Sequence, residues 1–353
     1  MTIADPGPGP LPGWLAPLTQ PCAWAYAYGV AHRNRRYDDP RHVRTVGVPV
    51  VSVGNLTVGG TGKTPVVQWL ARELLARDRR PGIAMRGYGA TGDTPADEVL
   101  LHRRTLPDVP VAADPDRARA IRERLLTLDP PVDVVLLDDG FQHRRLHRDL
   151  DLVLVDATRP GLRDHVLPAG YLREPVANLR RADAVIITRA GDVDPALAEA
   201  VLAASGHPPL AWTRHAWSGL DLHHEAGTSR ESVDWLRGRQ VATIFGVGHP
   251  APLLDAVEQA GATVVVNVPA RDHERYGRAR ATFLRGVAAS LDALLTTAKD
   301  WVKLEPLIDP TSWPTPIVVP CLTLEVIAGE AELLKRVMAA LARPAPERGP
   351  EAR

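Results

Sequence analysis

The feature that most restricts this chain is the stretch GNLTVGGTGKTP, Gly54 to Pro65, set between the β-branched run VPVVSV and the apolar-periodic segment VVQWLARELLA. A glycine-rich turn from strand to helix aims backbone N–H groups and the positive end of a helix dipole at one spot, which is what a phosphate needs. Gly54, Asn55, Thr57, Val58, Gly59, Gly60, Thr61 and Gly62 form the expected cradle. Lys63 is expected to reach the β and γ phosphates, and Thr64 to offer its hydroxyl to Mg²⁺. Pro65 suits the first helical turn, where its missing N–H costs little. The strict G-x-x-x-x-G-K-[ST] pattern is not met, because Thr57 stands where the first Gly is required, so the loop is a variant. Only Lys63, Lys299, Lys303 and Lys335 are lysines in this arginine-rich chain, which makes the one in the loop selective.

The rest of the chain reads as the fold that carries such loops. GIAM from Gly82, VDVVLL from Val132, DLVLVDA from Asp151 and DAVIIT from Asp183 are short apolar runs separated by helix-length segments. That alternation implies βαβ units and a mostly parallel sheet covered on both faces. A second series follows: LAWTRH from Leu210, VATIFGVG from Val241, ATVVVNV from Ala262, DALLTT from Asp292 and PIVVPCLTLEV from Pro316. The stretch AASGHPP, Ala203 to Pro209, separates the two series as a linker. The class is α/β, a P-loop NTPase-like mostly parallel sheet with a second, smaller α/β domain, in keeping with 353 residues.

Composition excludes several alternatives. With 45% hydrophobic residues, 24% charged and a formal net charge of +0, the chain is neither disordered nor a globally basic nucleic-acid binder, and no nucleic-acid partner is expected. Cys22 and Cys321 are the only cysteines and lie almost a chain apart, which excludes a disulfide framework and suits a reducing compartment. No basic n-region precedes an apolar segment, and no apolar run reaches the roughly 20 residues that span a bilayer. The stretch Leu11 to Ala31 is uncharged and places Trp14, Trp24, Tyr26 and Tyr28 just before His32, Arg33, Arg35 and Arg36. Two readings stay open for it: a helix at an anionic membrane surface, or a helix packed on the protein's own core.

A second chemical signal supports the first. The run VVLL ends in Asp138 and Asp139, followed by GFQH; carboxylates at the carboxyl end of a buried parallel strand are where a P-loop protein holds Mg²⁺ or the water around it. With both motifs in view, the chain resembles the tetraacyldisaccharide 4'-kinase family of lipid A biosynthesis. The resemblance runs from about Leu11 to Leu304 through LAPLTQ, VGNLTVGGTGKTP, RGYG, ADE, DDGFQH, LPAGYLREP, FGVGHP, DHERY and TTAKDWVKL. Val99 stands where the family commonly has Pro.

The resemblance implies an ATP-dependent, Mg²⁺-requiring kinase that phosphorylates the 4'-hydroxyl of a tetraacylated glucosamine disaccharide 1-phosphate, a lipid-linked substrate. It implies Asp97 as the carboxylate that takes the proton of the sugar hydroxyl and His273 as its partner. Lys63 and Asp139 complete the catalytic set it implies. Arg86, Tyr88, Arg117, Gln142, His143, Arg173 and Glu174 fall on family motif positions and are the substrate-binding candidates; arginines suit them because a planar fork donates two hydrogen bonds to phosphate at once. TTAKD, Thr296 to Asp300, at a strand end in the second domain, is expected to approach the nucleotide when the domains close.

The chain then divides into a membrane-interfacial segment (1–36), a P-loop kinase domain (37–205), a second α/β domain (206–340) and a disordered tail (341–353). Its expected place is cytoplasmic, peripheral on the inner face of the inner membrane, with no obligate protein partner. The competing class, a P-loop GTPase or ATPase switch or a metallochaperone, would be expected to carry an N-K-x-D base-reading motif or a clustered Cys or His site, and the sequence has neither.

Overall fold

The computed structural model describes residues 10–11, 15–87, 96–248, 250–271, 274–309 and 313–343, with the side chains of Ala16 and Pro17 excepted. Trp14, Tyr88, His273 and most of the tail therefore lie outside the described residues. The chain forms two compact units: one from residues 1–87, 105–215 and 324–353, the other from 88–104 and 216–323.

In the first unit the apolar runs form β1 (Val50–Asn55), β2 (Pro81–Met85), β4 (Val134–Asp138), β5 (Leu150–Asp156) and β6 (Ala184–Thr188), joined by the short β3 (Val111–Ala113). All five of the longer strands are buried along their whole length, which is why they read as continuous apolar runs rather than alternating ones. They pair in parallel with β1 between β4 and β5, so the loop after β1 and the acidic turn after β4 leave adjacent strands at the same end of the sheet. Helix α2 (Lys63–Leu75) follows that loop and buries Val66, Val67, Leu70 and Leu74 against the sheet, each stabilising the unit by about 2 kcal/mol.

Helix α1 (Ala16–Arg36) also belongs to this unit. Ala23, Val30 and Asn34, at helical spacing, are its buried stripe, while Trp24 and Tyr28, four residues apart, are 68% and 72% exposed. The helix thus packs on the protein along one face and leaves two rings bare on another. No helix among the described residues is long and apolar enough to cross a membrane.

The second unit holds the carboxyl half of β7 (Ala211–His224), then β8 (Gly227–Glu231), β9 (Gln240–Ile244), β10 (Thr263–Val268), β11 (Ala293–Thr296) and the start of β12 (Ile317–Ala328). β9 pairs in parallel with β10 and β11, and β11 with β12; β8 is antiparallel to β7. Its helices include α3 (Asp97–Thr105), α6 (Ala251–Gln259), α7 (Arg278–Ala288) and α8 (Ala298–Leu304).

These units differ from the division expected at 205/206. The chain crosses within the long strands β7 and β12, at 215/216 and 323/324. The final helix α9 (Glu330–Leu341) returns to the first unit, because Leu333, Val337, Ala340 and Leu341 form one apolar stripe that packs into that unit's core. Leu341, assigned from sequence to the tail, is buried there. Residues 96–104 go to the second unit, where Arg104 pairs with Glu305 and lies 5.9 Å from the Trp301 ring centroid.

Candidate functional site

The loop after β1 is held from three sides. Asn55 donates through Nδ2 to the Thr57 carbonyl (2.9 Å) and Thr57 Oγ1 (3.1 Å), closing the turn on itself. The segment LPAGYLREP runs beside it: Val58 N–H donates to the Tyr171 carbonyl and Arg173 N–H to that of Leu56, both at 2.7 Å. From β6, the Thr188 hydroxyl donates to the Thr61 carbonyl at 2.8 Å. Gly59 and Gly60 at the tip stay exposed, leaving their backbone open to a ligand.

Two glycines are required by geometry rather than flexibility. Gly62, with φ +83°, turns the chain into α2 in the left-handed region, and a Cβ there would lie 2.9 Å from Nε2 of His215. A Cβ on Gly54 would sit 2.7 Å from the backbone nitrogen of Phe141, so the acidic turn packs directly on β1.

Asp139 is the focus of the site. It follows β4 with φ +54°, a strained setting for a residue other than Gly, and its side chain remains 37% exposed. Lys63 Nζ lies 3.5 Å from its Oδ1, and Arg173 Nη1 donates to both carboxylate oxygens at 2.9 and 2.8 Å. Burial pushes the Asp139 carboxyl up, but the charges of Lys63 and Arg173 outweigh it and hold the group below the ordinary carboxylate range. Lys63 also donates to Asn55 Oδ1 at 3.2 Å, and Gln142 Nε2 to the Asn55 carbonyl at 2.8 Å, which ties the lysine, the loop and the acidic turn into one network.

Asp138, the last residue of β4, is buried beside it. Arg117, 4% exposed at the start of α4 (Arg117–Ala120), is lowered by burial and raised by Asp139 and Asp138, with Arg86 and Arg173 close enough to lower it further. Lys63, Arg117 and Arg173 thus gather around Asp139, with Arg86 near Arg117, an arrangement that suits a polyanionic ligand. His143 is pushed down to about 3 by burial and by Arg117, Arg148 and Arg145, so its imidazole is neutral across the physiological range.

The remaining candidates lie elsewhere. Glu174 is wholly buried, and one carboxylate oxygen accepts from Asn34 (3.1 Å), Asn178 (2.7 Å) and Arg181 (2.6 Å). It therefore anchors α1 to the segment beside the P-loop, aided by Tyr26, whose hydroxyl donates to the Arg173 carbonyl at 3.0 Å. Asp97 is the first residue of α3, on the second unit. Tyr88 and His273 lie outside the described residues. Asp300, expected near the nucleotide, is fully buried among groups of the second unit.

Sequence reasoning missed His215, Thr188 and the Asp156–Arg189 ion pair that support the loop from β5, β6 and β7. His215 is pushed down to about 4 by burial and by Arg189, which leaves a neutral ring against Gly62. The signal available was positional: Asp156 and Thr188 end the strands lying outward of β1.

A variant P-loop on a parallel sheet, with a lysine and an ionised strand-end carboxylate 3.5 Å apart, defines a nucleotide-dependent phosphotransferase of the P-loop class. The profile of the tetraacyldisaccharide-1-P 4'-kinase family matches residues 15–342. A tetraacyldisaccharide 4'-kinase of Geobacter sulfurreducens is 39% identical over 79% of this chain and 82% of its own length, and one of Anaeromyxobacter sp. strain Fw109-5 is 36% identical over 93% and 92%. The crystal structure of LpxK from Aquifex aeolicus in complex with ATP superposes with a TM-score of 0.70 at 28% identity, covering 93% of this chain and 99% of that one. This chain belongs to the tetraacyldisaccharide 4'-kinase family.

Proposed function

We propose that the protein transfers the γ-phosphate of ATP to the 4'-hydroxyl of a tetraacylated glucosamine disaccharide 1-phosphate. The observation that carries this reading is the gathering of Lys63, Arg117 and Arg173 around Asp139 beside the P-loop, in a chain matched to the family over residues 15–342. The backbone from Gly59 to Gly62 and the Lys63 ammonium hold the phosphates of ATP. Arg117 and Arg173 take up charge that develops on the transferred group, where preorganised cations have their largest effect because they need no rearrangement during the reaction. Neutral His143 and Gln142 orient the acceptor by hydrogen bonds, and Arg86 meets an acceptor phosphate. Asp97 removes the proton of the attacking hydroxyl, with His273 as its partner.

The donor set around Asp139 fits Mg²⁺. The Thr64 hydroxyl and the carboxylates of Asp138 and Asp139 are hard oxygen donors, and Asp139 is held ionised. No group of three or more His, Cys, Asp or Glu converges among the described residues, so a cation here would complete its shell with phosphate oxygens and water. When bound, the ion supplies neutralisation of the phosphate charge.

The acceptor is a lipid, and exposed Trp24 and Tyr28 with the basic last turn of α1 suit a peripheral position on an anionic membrane, at the inner face of the inner membrane. Incubation of the protein with γ-labelled ATP, Mg²⁺ and the tetraacylated disaccharide 1-phosphate should move label into the lipid fraction. Label released only as inorganic phosphate would exclude the kinase reading. In the same assay Asp97→Ala should lower kcat by about 10²-fold or more with ATP affinity kept; a parallel loss of ATP affinity would remove Asp97 from the acceptor side.

A further inference from the structure

Tyr26 stands two residues from both Trp24 and Tyr28 on α1, which puts it about 200° around the helix from each. The bare pair and Tyr26 therefore look in opposite directions. The Tyr26 hydroxyl donates to the Arg173 carbonyl at 3.0 Å, and about two turns further on buried Asn34 donates to Glu174 Oε2 at 3.1 Å. One helix thus grips two consecutive residues of the segment beside the P-loop.

The rest of Arg173 is bonded to the site itself. Its N–H donates to the Leu56 carbonyl at 2.7 Å, and its Nη1 to both oxygens of Asp139 at 2.9 and 2.8 Å. The end of α1 also reaches the chain that continues from Asp139: Arg144 donates to the Asn34 carbonyl (2.7 Å) and to Asp38 Oδ1 just past the helix (2.9 Å). Arg181, which shares Glu174 Oε2 with Asn34, lies 4.4 Å from the centroid of the Phe141 ring in that same stretch. Both segments whose side chains meet at Arg173 and Asp139 are therefore fastened to α1.

Stability gives little reason for the Tyr26 bond, because water competes for both partners of a single hydrogen bond and leaves a small net gain. Its consequence lies in the carbonyl it holds. A long guanidinium side chain stabilises developing charge only when its base is fixed, since a small misplacement of a charged group forfeits much of its effect on the rate. We propose that Tyr26 and Asn34 are positioning residues for phosphoryl transfer: through the backbone at Arg173 and the side chain of Glu174 they set the reach of the Arg173 guanidinium beside Asp139. This rests on the role proposed above for Arg173 in taking up charge on the transferred group.

The test compares full-length Tyr26→Phe, Asn34→Ala and the double variant, each made with Arg173 present and in an Arg173→Ala background. Lipid phosphorylation kinetics, melting temperature and hydrogen exchange of the Arg173 amide are measured on each. With Arg173 present, the double variant should lower kcat by about tenfold with KM for ATP changed by less than about twofold. In the Arg173→Ala background the same two substitutions should change the residual rate by less than about twofold, because residues that act through one partner are not additive. Exchange of the Arg173 amide, measured with Arg173 present, should quicken by about threefold or more. An unchanged kcat, an equal loss with and without Arg173, or unaltered exchange at Arg173 each overturns the proposal. If Asn34→Ala does not fold, Tyr26→Phe decides alone, with an expected kcat loss of about threefold that vanishes in the Arg173→Ala background. Absence of lipid phosphorylation by the unaltered protein would defeat the functional reading alone, since hydrogen exchange at Arg173 still judges the positioning.

Discussion

Asp139 and Asp300 are the same chemical pair, a carboxylate beside a lysine, used in two opposite ways. Asp300 lies 2.9 Å from Lys303, has no exposed surface and accepts three further hydrogen bonds, so nothing is left for a ligand. Asp139 lies 3.5 Å from Lys63, is 37% exposed and sits in a left-handed turn beside a loop whose tip is bare. Saturation makes a carboxylate an anchor, whereas partial exposure beside cationic partners leaves it able to bind a ligand. Glu174 in the first unit is a second anchor, buried under α1 with Asn34, Asn178 and Arg181 around it.

The open side of the comparison carries the largest expected effect. Lys63→Ala should reduce kcat by about 10³-fold or more, because in the proposed reading its ammonium holds the transferred phosphate. Single-turnover kinetics on a variant with an unchanged circular dichroism spectrum checks this, and near-normal turnover would break the distinction at its open end. The closed side predicts stability loss instead. Glu174→Ala leaves Arg181 and two amides without their buried acceptor and should cost about 3 kcal/mol or more in urea denaturation, with ATP affinity of the folded fraction unchanged. A neutral result would mean that the cluster is wetter than its burial implies.

These two carboxylates also mark how far the sequence could be read. Val50–Asn55, Val134–Asp138 and Leu150–Asp156 were legible as strands because burial on both faces leaves an uninterrupted apolar run. The P-loop and Asp139 were legible because a local pattern, strand, glycines, lysine and helix, carries the chemistry within a short stretch. Glu174 and Asp300 were not, since a carboxylate becomes an anchor only through donors that are distant in sequence, such as Asn34 at a separation of 140 residues. The return of α9 to the first unit was hidden for a related reason: its apolar stripe has the right period but carries no label for the core it joins. In α1 one face is buried, as the core-packing reading expects, and the bare face with Trp24 and Tyr28 leaves the membrane reading to be tested.

Smaller effects sharpen the comparison further. His215, pushed down to about 4 by burial and Arg189, is neutral in the folded protein but takes up a proton near pH 6.5 when unfolded. The unfolded state therefore binds more protons between about pH 6.5 and 4, and stability is lost as pH falls through that window. His215→Gln should flatten this loss in melting curves taken from pH 7 to 4; an unchanged slope would assign the acid sensitivity elsewhere. The smallest effect concerns α1. Arg33 lies 3.5 Å from Glu174, which leaves Arg35 and Arg36 as the exposed basic pair. Replacing those two with Glu should weaken sedimentation with anionic vesicles by about 1 kcal/mol or more per residue at low salt, and the difference should shrink at high salt. Equal sedimentation by both proteins would remove the membrane role of this helix.

The central claim, that Asp139 is open to a cation and Asp300 is closed to one, is tested most directly by calorimetric titration of ATP at increasing Mg²⁺ into the unaltered protein, Asp139→Asn and Asp300→Asn. Tighter ATP binding with rising Mg²⁺ in the unaltered protein and Asp300→Asn, and its loss in Asp139→Asn, is the predicted result. An Asp139→Asn protein that keeps the full Mg²⁺ dependence, or an Asp300→Asn protein that loses it, would contradict the account.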